Sequence, residues 1–350
     1  MGIRQTQILE RAVDYQQLAI GQHVPSNFTV NADGTSDYKD IQSAIDALPS
    51  TGGKIFIKAG TYEIDSTLTI PSNTSLEGVG YSSHIKLADG TNDPLIENDD
   101  QAGGNNYMDI SNLRIDGNYA NNTSSFNYGI YFRNVDNSRI EHVWVHDCSK
   151  NGAGIFFDSC EYNILSSLHS YDHALASSGI YLTTSSNYNI LDGCQSYNNG
   201  GWGVRVVGSD YNVISDCTLD YNDYSGIRLN NGDFYTINGN IIRRNKRHGI
   251  ELYDRSDHNV CNGNIVVNNS RDNANTYSGI AITSNIGYST YNTITNNQCI
   301  DTTNTQKYGI EEDNAGDDYN QISGNTCRGN VTAPINSLGP HSMVFNNIEK

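Results

Sequence analysis

Charge is the first thing this chain has little of. Only 17% of its 350 residues are charged, against about 25% in an ordinary globular protein. Acidic residues number 39 and basic ones 21, giving a formal net charge of −18. Nucleic acid and membrane are therefore not expected partners, because each is bound through a basic face that displaces counterions. The Ala/Leu/Glu/Lys-rich composition of coiled coils and helical proteins is also missing; Asn, Ser, Thr, Gly and Tyr fill its place. No run approaches the ~18 uninterrupted apolar residues of a membrane-spanning helix. The opening stretch from Met1 to Gln22 is polar and lacks the charged-then-apolar order of a secretory signal, so no export address is expected in it. The seven cysteines are odd in number and show no C-x-x-C spacing. That excludes a complete disulfide framework and a C-x-x-C metal site, and buried free thiols are expected instead.

What is present is a repeat. Gly followed by Ile or Val recurs at Gly129, Gly154, Gly179, Gly203, Gly226, Gly249, Gly279 and Gly309, at intervals of 23 to 30 residues. Each Gly opens a short alternating run, such as Ile130-Tyr-Phe-Arg133, Val204-Arg-Val-Val207, Ile227-Arg-Leu-Asn230 and Ile250-Glu-Leu-Tyr253. Period-two alternation places the first and third residues inward and the second and fourth outward. A Tyr-Asn or His-Asn pair recurs further along each repeat, as in Tyr162-Asn163, Tyr188-Asn189, Tyr211-Asn212 and His258-Asn259. Asn tolerates left-handed dihedrals at a turn, and one Asn per coil predicts an amide ladder. Three short strands in about 23 to 25 residues, without a helix between them, describe one coil of an all-β parallel solenoid, a parallel β-helix.

Upstream, the spacing of Ile41, Ala44, Ile45 and Leu48 predicts a short helix, with Ser36 or Asp37 as N-cap and Pro49 and Gly52-Gly53 ending it. Such a helix would cover the open end of the stack. The Asp-, Asn- and Gly-rich segment from Asn92 to Asn106 reads as a loop or flap. Residues 1–26 are taken as a leader or attachment segment and 27–350 as one β-helix domain, its coils clearest over 107–330.

The series Asp33-Gly34, Ile41-Gln42, Ala44-Ile45, Gly52-Gly53, Ile55 and Gly60-Thr61-Tyr62, followed by Gly-Ile coils, resembles the right-handed parallel β-helix superfamily of pectate-lyase-like proteins. That superfamily includes polysaccharide lyases, mannuronan C5-epimerases, glycoside hydrolases and phage tailspikes. The leader, with Ile3, Ile8, Ala12, Val13, Leu18 and Ala19, is similar to segments that open phage tail proteins. The resemblance implies a glycan ligand lying along an outer β-face.

The outward residues at the second and fourth places after each Gly are therefore the candidates for chemistry. They run Tyr131/Arg133, Phe156/Asp158, Tyr181/Thr183, Arg205/Val207, Arg228/Asn230, Glu251/Tyr253, Ala281/Thr283 and Glu311/Asp313. Arg205, Arg228 and Glu251 are predicted to share one column on successive coils. Aligned guanidiniums offer forked donors to the carboxylates of an acidic polysaccharide. Arg205 stacked on Arg228 is expected to be repulsive unless the two share an anion. Arg205, Tyr181, Asp158, Trp202, Asn230 and Arg133 are expected to bind substrate, with Tyr131, Phe156 and Trp202 also available for stacking.

Removal of the proton alpha to a uronate carboxylate begins both β-elimination and C5 epimerisation. It needs a cation for the developing enolate, a base and an acid. Arg228 is assigned the first role and His248 and Tyr253 the proton transfers, with Glu251 orienting one of them. Mannuronan epimerases carry Tyr-Gly-Phe-Asp-Pro-His on one coil. His248-Gly249-Ile250-Glu251-Leu252-Tyr253 is similar, with His, Glu and Tyr in the matching places and the aromatic partners exchanged. The rival reading is a glycoside hydrolase using the paired carboxylates Glu311 and Asp313, about 6.6 Å apart along a strand. A third is a noncatalytic, tailspike-like glycan-binding protein. No cofactor is expected, although Asp99-Asp100 and Asp317-Asp318 make calcium a candidate. A homotrimer is compatible with the resemblance, as is a protein borne on a virion or found outside the cell.

Overall fold

The computed structural model describes residues 27–123 and 127–349; the expected leader, residues 1–26, lies outside them. The chain winds as a parallel solenoid whose strands fall into three long sheets of 13, 12 and 11 strands, plus one two-stranded pair. The Gly-led runs form the 11-stranded sheet. Its inward residues Ile130, Ile155, Ile180, Val204, Ile227, Ile250, Ile280 and Ile310 are fully buried. Each such side chain contributes about 1.5–3 kcal/mol by leaving water, and stacking them coil on coil makes one continuous core.

The repeat Gly is required for space. A Cβ on Gly226 would lie 2.5 Å from the Ile242 side chain and 2.8 Å from the carbonyl of Gly249 in the next coil. All seven cysteines are free and buried, stacked within the same core.

The Asn positions form amide ladders inside the turns. Asn199, Asn222 and Asn245 each pass a side-chain N–H to Oδ1 of the next rung, Asn222, Asn245 and Asn269, at 3.0 Å, and the ladder continues to Gln306 through the Asn269 backbone N–H at 3.3 Å. A second ladder joins Asn163, Asn189 and Asn212. In this second ladder the left-handed residue is not the Asn but the aromatic before it: Tyr162, Tyr188, Tyr211 and His258 have φ of 57–59°. Turning there frees the amide to point inward and leaves the ring outside, where it stacks on its neighbours at 4.9–5.2 Å from Tyr162 to His341.

Two expectations upstream are corrected. Ile41–Asp46 is helical for six residues, burying Ile41, Ala44 and Ile45, but its N-cap is Asp40, whose carboxylate accepts from the Ser43 N–H. Asp37 instead accepts from the Thr29 N–H. The Asn92–Asn106 segment is no flap. It supplies the strand Ile96–Asn98, paired to Ile130 and Tyr131, and the short strand Asn105–Asn106. Coiling therefore begins before the first Gly of the repeat, where the inward positions are apolar but the Gly signature is missing.

Candidate active-site face

Along the 11-stranded sheet the outward column reads Tyr131, Phe156, Tyr181, Arg205, Arg228, Glu251, Ala281, Glu311 in register. Arg133, Asp158, Thr183, Val207, Asn230, Tyr253 and Thr283 form the second column beside it. The alignment expected from the repeat is thus present. Arg133 and Asp158 pair with each other, Nε to Oδ2 at 3.4 Å, at the end of the face remote from Glu251.

The two arginines do not need a shared anion. Arg205 sits 4.5 Å from the Tyr181 ring centre and 4.5 Å from that of Trp202. Arg228 lies 5.6 Å from Trp202 and 4.0 Å from Tyr253. The ring faces solvate both cations, which answers the repulsion that the sequence pattern raises. Glu251 adds a carboxylate 3.8 Å from Arg228 Nε and accepts a hydrogen bond from Ser225 at 2.8 Å. Two donors here have no partner within hydrogen-bonding distance: Arg228 Nε and Trp202 Nε1 are both buried.

His248 is buried, and its Nδ1 accepts from the Ser278 backbone N–H at 3.0 Å. In the neutral ring the proton is then assigned to Nε2. Burial lowers its pKa against the opposing pull of Glu251 and Glu311. His248 is therefore set up as a hydrogen-bond donor at Nε2. Burial and the neighbouring Asp254 raise the Tyr253 phenol above its ordinary value, so it too stays protonated.

One groove of about 430 Å³ opens on this face, lined by His248, Tyr277, Thr283, Lys307, Glu311 and Asp313 among others. It brings the expected His248 together with the expected carboxyl pair. Glu311 is buried and accepts from Ser278 Oγ at 2.6 Å and from Lys307 Nζ at 3.1 Å. Asp313 is raised by desolvation and by Glu311, while buried Asp317 is pushed up to about 7, by burial first and by Asp313 next to it. The Thr283 hydroxyl is buried there without a hydrogen-bond partner. A carboxyl whose surroundings raise its pKa is what the acid in acid–base work at a sugar needs.

The sequence pattern missed Ser278 and Lys307. Ser278 precedes a repeat Gly and Lys307 stands four residues before Glu311, so both had a positional signal. Asp317, read from the sequence only as a calcium candidate, is returned to the neighbourhood of Asp313 by a tight turn closed by its own N–H on the Asn314 carbonyl at 3.0 Å. Of the acidic pairs suggested for calcium, Asp100 Oδ1 accepts the N–H groups of Ala102 and Gly103, and Asp318 accepts those of Tyr319 and His341.

Residues 151–298 match the family model described as right handed beta helix region. With three parallel sheets in register over the described residues, that decides the class. The chain is a right-handed parallel β-helix. The β-helix is similar over 88% of its length to the mannuronan C-5 epimerase A-module of Azotobacter vinelandii, with a TM-score of 0.67 and 20% identity, covering 93% of that chain. It is also similar to the DFA-IIIase of Arthrobacter chlorophenolicus A6, with a TM-score of 0.67, 12% identity and coverage of 90% and 86%. A segment of 71 residues is 41% identical to the tail spike protein of Shigella phage Sf6, covering 18% of this β-helix and 11% of that protein. The chain thus matches about a tenth of that curated relative. At these identities the solved structures speak for the fold, one shared by epimerase modules, DFA-IIIase and tailspikes.

Proposed function

We propose that this β-helix hydrolyses glycosidic bonds of a polysaccharide laid along the 11-stranded sheet, with Glu311 and Asp313 as the working carboxyl pair. The observation that carries the reading is the groove that gathers Glu311, held by Ser278 and Lys307, with an Asp313 raised by its surroundings. Glu311 lies in the strand Tyr308–Glu312 and Asp313 is the exposed residue just beyond its end, so the pair is separated by about 6.6 Å of extended backbone rise and not by a shared strand face. That separation lies at the short end of the inverting arrangement, about 6.5–9.5 Å. Glu311 acts as base on a water, and Asp313 protonates the leaving oxygen, drawing on the proton it shares with Asp317. His248 Nε2–H and Lys307 hold the sugar, and Tyr181 and Tyr277 supply stacking faces along the approach. An acidic polymer is the expected substrate class, with Arg228 and Lys307 meeting its carboxylates.

A second reading keeps the uronate chemistry: β-elimination or C5 epimerisation at Arg228, His248, Glu251 and Tyr253. The unpartnered Arg228 Nε and Trp202 Nε1 favour it, since a substrate carboxylate would satisfy both. In that reading Tyr253 and His248 give protons, and Glu251 remains as the base. Incubation with alginate, polygalacturonate, glycosaminoglycans and neutral glycans separates the readings. New reducing ends alone support hydrolysis. Absorbance at 232 nm supports elimination, and altered anomeric NMR signals without cleavage support epimerisation. Binding with no turnover leaves a tailspike-like glycan receptor. A virion-borne or extracellular setting and a homotrimer belong to the same proposal, and sedimentation tests the trimer.

A further inference from the structure

A second cluster lies on a different face, the 12-stranded sheet. The strands Ser83–Leu87, Arg114–Asp116 and Trp144–His146 come from three successive coils and pair in register. They bring His84, Asp116 and His146 together, with one ligand atom from each lying within 4.8 Å of the others. We propose that these three residues bind a divalent transition ion of the zinc class.

Two imidazoles and a carboxylate suit a borderline ion such as Zn2+, and the nitrogens argue against calcium. The supporting contacts point the same way. His146 Nδ1 lies 2.6 Å from Asp147 Oδ2. That places the ring proton on Nδ1 and turns the Nε2 lone pair inward, the carboxylate–histidine support that metal-bound imidazoles commonly have. Asp116 Oδ1 is fixed by the Asn118 N–H at 2.8 Å, leaving Oδ2 toward His84 Nε2 at 3.3 Å. His84 Nδ1 has the Thr61 hydroxyl 3.4 Å away, a partner for the ring proton when Nε2 ligates. His146 and Asp116 are buried.

A cation already occupies the neighbourhood. Arg114 Nε donates to His146 Nε2 at 2.8 Å, and its guanidinium lies 4.0 Å from Asp116 Oδ2 and 4.6 Å from the Tyr81 ring centre. The guanidinium stands where positive charge is wanted and withdraws over Tyr81 when the ion enters. Tetrahedral ligands at 2.0–2.2 Å from zinc are about 3.3–3.5 Å apart, so the cluster closes by side-chain rotation without moving a strand. Tyr81 and Tyr171, whose hydroxyls are 3.5 Å apart, border the cluster, the Tyr171 ring stacking on His146 at 5.2 Å. The ion would clip three coils together near the start of the solenoid and leave one position for water or a ligand oxygen.

The test is titration of the whole chain with ZnCl2 by calorimetry and with CoCl2 by visible absorption. Expected are one saturable equivalent and the d–d bands of a nitrogen-ligated cobalt ion. Asp147→Asn should weaken binding about 10- to 100-fold, and Arg114→Ala should tighten it. His84→Ala with His146→Ala should remove it, while circular dichroism shows the fold retained. Absence of a saturable equivalent in the unaltered protein, or binding unchanged in the His84 and His146 variants, overturns the site. Either failure leaves the groove at Glu311 untouched.

Discussion

The Ser278 hydroxyl donates to Glu311 Oε2 at 2.6 Å while the Ser278 backbone N–H donates to His248 Nδ1 at 3.0 Å. One residue thus fixes two others: it positions the Glu311 carboxyl and assigns the ring proton of His248 to Nε2. Ser278 lies in the coil between them and precedes a repeat Gly, so the solenoid's register fixes all three.

Removing the carboxyl chemistry should stop cleavage without unfolding the coil. Glu311→Gln and Asp313→Asn are each expected to lower reducing-end release about 10²- to 10⁴-fold, with circular dichroism unchanged. Ser278→Ala should lower it less, because Glu311 loses the hydroxyl that positions it but keeps Lys307.

The pH dependence has a definite sign. Asp317 binds its proton more tightly in the folded chain, its pKa raised from 3.8 to about 7. The folded state then holds more protons than the unfolded one between those values, so stability is greatest at the acid end and falls as pH rises through that window. Thermal unfolding followed from pH 4 to 8 should show this fall, and Asp317→Asn should flatten it. Activity should decline above about pH 7 as the shared proton is lost.

The amide ladder predicts a stability effect far from any chemistry. Asn245→Ala removes the acceptor for both the backbone N–H and the side-chain N–H of Asn222. Leaving those buried donors unmade costs about 1–3 kcal/mol each at most. Urea denaturation should show a lower midpoint with activity per folded molecule unchanged.

Arg228→Ala and Tyr253→Phe separate the two chemical readings. If hydrolysis at Glu311 is correct, both variants weaken substrate binding, raising KM several-fold with kcat little changed. Uronate elimination would instead lose kcat in both.

The column from Tyr131 to Glu311 was legible because period-two alternation and a fixed coil length are local properties, and stacking carries them straight into space. Arg205, Arg228 and Glu251 follow from counting. The environment of those residues was not legible. Trp202 precedes its Gly and was read as a stacking surface; only the coordinates show its ring between the two guanidiniums. The helix cap moved from Asp37 to Asp40 because Asp37 is taken by Thr29, a contact across the first strand. The left-handed position went to Tyr162 and its equivalents because the adjacent Asn is needed inward. His84, Asp116 and His146 were invisible for another reason: they carry no shared motif, and intervals of about 30 residues between them become neighbours only through coiling.

The central claim is that cleavage depends on Glu311 and proceeds by hydrolysis. The most direct measurement follows reducing ends and 232 nm absorbance together, for the unaltered chain and for Glu311→Gln, on the polymer the unaltered chain turns over. The account predicts reducing ends without a rise at 232 nm, and their loss in Glu311→Gln. Absorbance at 232 nm that persists in Glu311→Gln and disappears in Arg228→Ala would contradict it.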